Sequence, residues 1–200
     1  MQPGSSPYAR PPAPAKKTPV WIIVLVVVGV GAVLLIGTLG ALAVFGTRRY
    51  LAAAKTAEAK STIGAIARAA RASYERESLE EGQEGAHALC KSAVSVPAAP
   101  PMGVRYQPAL SGGDFDTGDA QTGWKCLRVA MTQPMYYQYN YHQGAGYLAP
   151  AAGAGPDGFE AAAVGDLDGD GDTSLFATSG NVTGTTVTLR TTLYTERENE

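Results

Sequence analysis

The sequence predicts an α+β protein: one long amino-terminal helix, first membrane-spanning and then amphipathic, packed on a small antiparallel β-sheet. Three observations carry this. Val20 to Phe45, VWIIVLVVVGVGAVLLIGTLGALAVF, is an apolar run without charge, proline or amide. From Thr47 to Leu79 small and apolar residues recur at steps of three and four, which places them on one face of a helix. After residue 100, glycines punctuate short β-branched and aromatic segments, the pattern of strands joined by turns. A helix with one apolar stripe and a sheet with one apolar face bury each other.

Residues 1–19, MQPGSSPYARPPAPAKKTP, hold prolines at 11, 12, 14 and 19. Proline removes a donor and forbids helix, so a disordered tail is expected, either a plain spacer or a docking peptide.

Residues 20–45 exceed the roughly 20 apolar residues that cross a bilayer. Lys16 and Lys17 stand on one side and Arg48 and Arg49 on the other. Ala41-Leu42-Ala43 has the small-x-small form of a signal cleavage site. The apolar run, however, is about twice the 7–15 residues of a signal peptide, so a retained anchor is expected. Arg10, Lys16 and Lys17 favour an amino terminus on the cytoplasmic side. Two cysteines ahead of a glycine-rich, strand-prone remainder suit an oxidising compartment for residues 81–200.

In the continuation, residues 46–80, the stripe is Ala52, Thr56, Ala59, Ile63, Ile66, Ala70 and Tyr74. Ile63, Ile66, Ala70 and Tyr74 are expected to form the face that meets the sheet. Alanines at ten positions between 52 and 72 give high helix propensity and allow close approach of a neighbouring surface, either the protein's own sheet or a second copy. Gly82 and Gly85 are expected to end the helix.

The next segment, HALCKSAVSVPAAPPMG, cannot be helical because of prolines 97, 100 and 101. Strands are expected at Val104–Gln107, Trp124–Met131, Tyr136–Tyr141, Phe159–Val164, Ser174–Thr178 and Thr185–Thr195, with a polar loop over 111–123. Cys90 and Cys126 are the only cysteines and are predicted to form a disulfide in a domain small enough to need one; two buried thiols are the alternative.

Asp166-Leu167-Asp168-Gly169-Asp170-Gly171-Asp172 places carboxylates at alternate positions with glycines that let the backbone curl. Asp166, Asp168, Asp170 and Asp172 are the candidate calcium ligands, and any affinity should be weak. Ala177 stands where a calcium loop carries its closing glutamate, and the same composition also makes a plain hairpin tip. Calcium is the one cofactor the residues suggest.

Charge and motifs narrow the function. Sixteen basic residues against eighteen acidic ones leave no basic excess, so nucleic acid is not an expected partner. His87 and His142 are isolated, and serines 92, 95, 111 and 174 stand in no G-x-S-x-G elbow. No enzyme is expected. Asn181-Val182-Thr183 matches a short glycosylation pattern.

The order of these parts resembles the type IV pilins and pseudopilins. Lys55 to Ile66, KTAEAKSTIGAI, looks like the pilin segment just beyond the membrane. Cys126-Leu127, Gln133 to Tyr139 and Gly165 to Gly171 look like parts of the sheet domain of such fimbrial proteins. The glycine–aromatic–threonine leader motif with its early glutamate, usual in that family, is not found; Glu58 is the first acidic residue. The resemblance implies a structural or assembly subunit of a type IV pilus or type II secretion-like system. It would be anchored in a bacterial inner membrane, with residues 81–200 extracytoplasmic, and would associate with itself or with related subunits through the helix. The alternative is a membrane-anchored binding or adhesion module.

Overall fold

The computed structural model describes residues 19–76, apart from the side chains of Arg48 and Arg49, and residues 87–198. The proline-rich tail before Pro19, the helix course beyond Arg76 and its expected end at Gly82 and Gly85 lie outside the described residues. Helix α1 is one element of 56 residues, Val20–Glu75. It passes from one compact unit, Met1–Arg48, into a second, Arg49–Glu200.

In the first unit, every described residue from Pro19 to Thr47 is exposed. Trp21, Leu34, Ile36, Leu42 and Phe45 each leave more than half of their surface uncovered. At about 1.5 Å rise per residue, the run Val20–Phe45 is about 39 Å long, more than the roughly 30 Å hydrocarbon core of a bilayer. It is the one described helix long and apolar enough to cross a membrane.

In the second unit, α1 buries Thr56, Ala59, Ile63, Ile66, Ala67, Ala70, Ser73 and Tyr74. The spacing of three and four is the reason: these positions return to one side of the helix every turn. Ala59, Ile63, Ile66, Ala67, Ala70 and Tyr74 pack into one core with the sheet.

The sheet is antiparallel, in the order β1 (Gln138–Gln143), β2 (Gly158–Gly165), β3 (Ser174–Thr183), β4 (Thr186–Leu189). A short β5 (Tyr194–Glu196) pairs with the first part of β3, beyond the reach of β4. Pairing Tyr139 with Ala163 and Ala163 with Phe176 sets one row of side chains in the core with α1. Small Ala161 and Ala163 leave room for the aromatic rings. Phe159 lies over Gly180, where a Cβ would come within 2.5 Å of its ring, and Tyr137 lies over Gly165 in the same way, at 2.4 Å. The opposite face carries Ala162 and Ala177, which pack with Ala149 and Ala152 from the 144–153 loop.

Several expected strands are corrected. Trp124–Met131 is not a strand: Gly123–Leu127 is a short helix, α2, closed by Arg128 in the left-handed conformation. Trp124, Cys126 and Leu127 are all buried, and a strand would have sent Leu127 to the opposite face. Trp124 packs edge-on against Phe115 with centroids 5.0 Å apart and donates its indole N–H to the Val94 carbonyl. Val104–Gln107 contributes only an isolated bridge between Tyr106 and Met135. The polar loop 111–123 holds a 3-10 turn at Asp114–Asp116 that buries Phe115. Thr185–Thr195 is not one strand but β4 and β5, parted at Arg190–Leu193. The strand expected at Tyr136 begins two residues later, and Ser174–Thr178 extends to Thr183.

The free edge of β1 is covered by residues 91–97. Val96 and Tyr139 exchange two backbone hydrogen bonds, and the Ala93 N–H donates to the Tyr141 carbonyl. A disulfide joins Cys90, beside this segment, to Cys126 on α2, with Cα atoms 5.8 Å apart. Tyr141 donates its hydroxyl to the Cys90 carbonyl from below.

Candidate functional site

The acidic turn connects β2 to β3. Ligand oxygens of Asp166, Asp168 and Asp170 lie within 4.8 Å of one another. Asp166, at the end of β2, is 2 % exposed. Its carboxylate accepts from the Gly169 N–H at 2.6 Å and the Gly171 N–H at 3.0 Å, and its carbonyl accepts from the Gly103 N–H. Gly169 and Gly171 have φ of 82° and 98°, values that side chains rarely adopt. Thus Asp166 organises the curl, and the two glycines allow it.

Asp168 and Asp170 are exposed, and each accepts a backbone N–H two residues on. Asp172 lies outside this group and pairs with Arg197 at 3.0 Å. The donor set is three carboxylate oxygens, with neither nitrogen nor sulfur, which suits a hard cation such as calcium. Six to eight oxygens complete a calcium shell. The position of a closing glutamate is Ala177, fully buried on β3.

A second charged group sits on α1. Lys55 Nζ lies 4.1 Å from the Tyr136 ring centroid and Arg105 Cζ 4.8 Å from it. Glu58 is near both Arg105 and the Tyr136 backbone. Burial raises its carboxyl above the ordinary 4.5, and Arg105 and the Tyr136 N–H partly oppose that.

Below α1, the hydroxyls of Tyr137 and Tyr139 are buried without a hydrogen-bond partner. Thr56 and Ser174 lie close to the first and Thr62 to the second, outside bonding geometry. Thr56 and Ser174 instead donate to the carbonyls of Ala52 and Gly165. Desolvation raises both phenols above their usual range, that of Tyr139 by a wide margin.

The histidines serve local structure. His87 donates through Nδ1 to the Tyr74 carbonyl at 2.9 Å and stacks on the Tyr74 ring. His142 Nδ1 shares a hydrogen bond with Ser92 Oγ at 3.2 Å, and its ring stacks on Tyr147 with centroids 4.8 Å apart. Ser92 Oγ also accepts the Gln143 N–H. Among the described residues, no carboxylate bonds the other nitrogen of His142, so the pair lacks the orienting partner of a hydrolytic triad.

Glu160, opposite His142 on β2, is 1 % exposed. Its carboxylate accepts from the N–H groups of Tyr147, Leu148 and Ala149. The one signal for this residue in the sequence is an acid within the otherwise uncharged run GFEAAAVG. Asn181 of the glycosylation pattern is committed at both ends of its amide, accepting from Gly155 N–H and donating to Gly153 carbonyl.

No protein-family model, no curated protein and no solved structure matches this chain.

Proposed function

We propose that the protein is a single-pass, membrane-anchored structural subunit of the pilin type, which associates side by side with copies of itself or related subunits through α1. The observation that supports this most is the division of labour along one helix. Its first part is apolar and uncovered; its second part buries one stripe in a sheet domain with its own core. Within the uncovered part, a Cβ at Gly29, Gly31, Gly37 or Gly40 would meet nothing. Small residues in an apolar helix let a second helix approach closely, because packing rather than the hydrophobic effect drives association in lipid. The Cys90–Cys126 disulfide supports an extracytoplasmic place for the sheet domain and hence a cytoplasmic amino terminus.

The test is single-cysteine crosslinking of the full chain in membranes, at successive positions from Gly29 to Gly40. The native cysteines are paired and do not interfere. Dimer yields that rise and fall with helical period are expected. Monomer at every position would reject assembly and leave the monomeric anchored binding module.

A further inference from the structure

We propose that the groove between residues 93–95 and the 144–149 loop binds a neutral sugar ring, with Tyr147 as its stacking platform. The groove has a volume of about 350 Å³ and is lined by Val94, Ser95, Asn140, Tyr141, His142 and Tyr147, beside Ala93. Its size is that of a small-ligand site. No lining residue is an acid, a lysine or an arginine. Glu160, paired with His142 across the strands, spends its carboxylate on three loop N–H groups. That arrangement selects against charged ligands and, by pinning the backbone at Tyr147, holds the platform in place before binding.

The rim carries unused hydrogen-bonding capacity of the right kind. Asn140 is 6 % exposed; its Oδ1 accepts from Ser95 and its Nδ2 donates to Gln138. One amide hydrogen and one lone pair of that side chain remain. His142 engages Nδ1 and lies stacked on one face of Tyr147, so the sugar takes the other face of that exposed ring. Tyr147 and Val94 are 60 % and 64 % exposed. A pyranose presents an apolar C–H face and a rim of hydroxyls. The uncovered face of Tyr147 suits the C–H side, and the Asn140 amide and Ser95 hydroxyl on the groove wall suit the hydroxyls.

The inference does not rest on assembly through α1, and the variants below should leave crosslinking in the membrane unchanged. The experiment is saturation-transfer NMR on the full chain in a detergent without sugar headgroups. The probes are glucose, galactose, mannose and N-acetylglucosamine, with glucuronate as the charged control. At least one neutral sugar should bind with a millimolar Kd, and glucuronate should not. Tyr147→Ala and Val94→Arg should each weaken binding by about tenfold or more, while Tyr147→Phe keeps it. Both altered positions are exposed, so melting temperatures should stay near wild type. Binding by no neutral sugar, equal binding of glucuronate, or affinity unchanged in both Tyr147→Ala and Val94→Arg would overturn the proposal.

Discussion

Single side chains in this protein differ sharply in how much structure depends on them, and the acidic turn shows it within five residues. Asp166 is buried and holds the N–H groups of Gly169 and Gly171. Replacing it with alanine leaves those donors without an acceptor, at a cost of about 1–3 kcal/mol. The same change at exposed Asp168 or Asp170 should fall within about 0.5 kcal/mol. Urea unfolding of the three variants measures this, and equal losses would show that Asp166 does not organise the turn. Calcium titration addresses the cation reading separately. A cation held by the three carboxylates raises the melting temperature, and Asp168→Asn with Asp170→Asn abolishes the rise; no rise at several millimolar calcium leaves a backbone device. Glu58 supplies the pH dependence. Its folded-state pKa is raised above 4.5, so the folded protein holds this proton more tightly than the unfolded chain does. Its contribution to stability therefore declines as pH climbs from 4.5 through the raised value. Glu58→Gln should remove that decline and be at least as stable as wild type at neutral pH. Urea midpoints of the two proteins across pH 4–7 check the sign.

Among the elements, α1 makes the clearest prediction because its two sides have opposite environments. Ile66 is fully buried, while Arg68, two residues on, is exposed. Ile66→Asp would place an unpaired charge in the core, a loss of several kcal/mol, whereas Arg68→Asp should be nearly silent. Similar losses for the two would show that the stripe faces elsewhere. The covered edge of β1 depends on the disulfide that holds residue 90 to α2. Closing a separation of 36 residues is worth roughly 3–4 kcal/mol in the chain-entropy model. The Cys90→Ser, Cys126→Ser protein should lose about that much stability. Alkylation of the native protein before reduction should add no mass; a mass shift would contradict the bridge.

At the scale of the whole molecule, the second unit contains the core and all five strands. Residues 49–200 expressed alone should therefore be soluble, disulfide-bonded and cooperatively folded, and the full chain should stay in the membrane fraction. Fractionation with thermal melts followed by circular dichroism tests both. A truncated domain that melts without a transition would show that the first unit is needed for folding. Recovery of the full chain in the soluble fraction would remove the membrane anchor, and with it the assembly reading.

The sequence alone marks an apolar helix over 20–45 long enough to cross a bilayer, because length and the absence of charge are local properties of that run. It determined the buried stripe of α1 for a similar reason: the period of three and four is written in the positions of Ile63, Ile66, Ala70 and Tyr74, whatever covers them. The strand cores at Phe159 and Ser174 and the place of the acidic turn were legible through alternation and turn residues. The helix at residues 123–127 comes from packing and not from local pattern. Alternation there was as good as in a true strand, but Trp124 had to reach Phe115 and Val94 while Cys126 met Cys90. Likewise, β-branched residues run on through 185–195, yet β3 has partners for them only as two short strands. The convergence of Asp166, Asp168 and Asp170, and the groove beside Tyr147, follow from the φ of two glycines and from a loop anchored on Glu160. Local pattern records which side of an element is buried. It does not record which distant residue lies against that side, because that contact depends on how the separate elements pack.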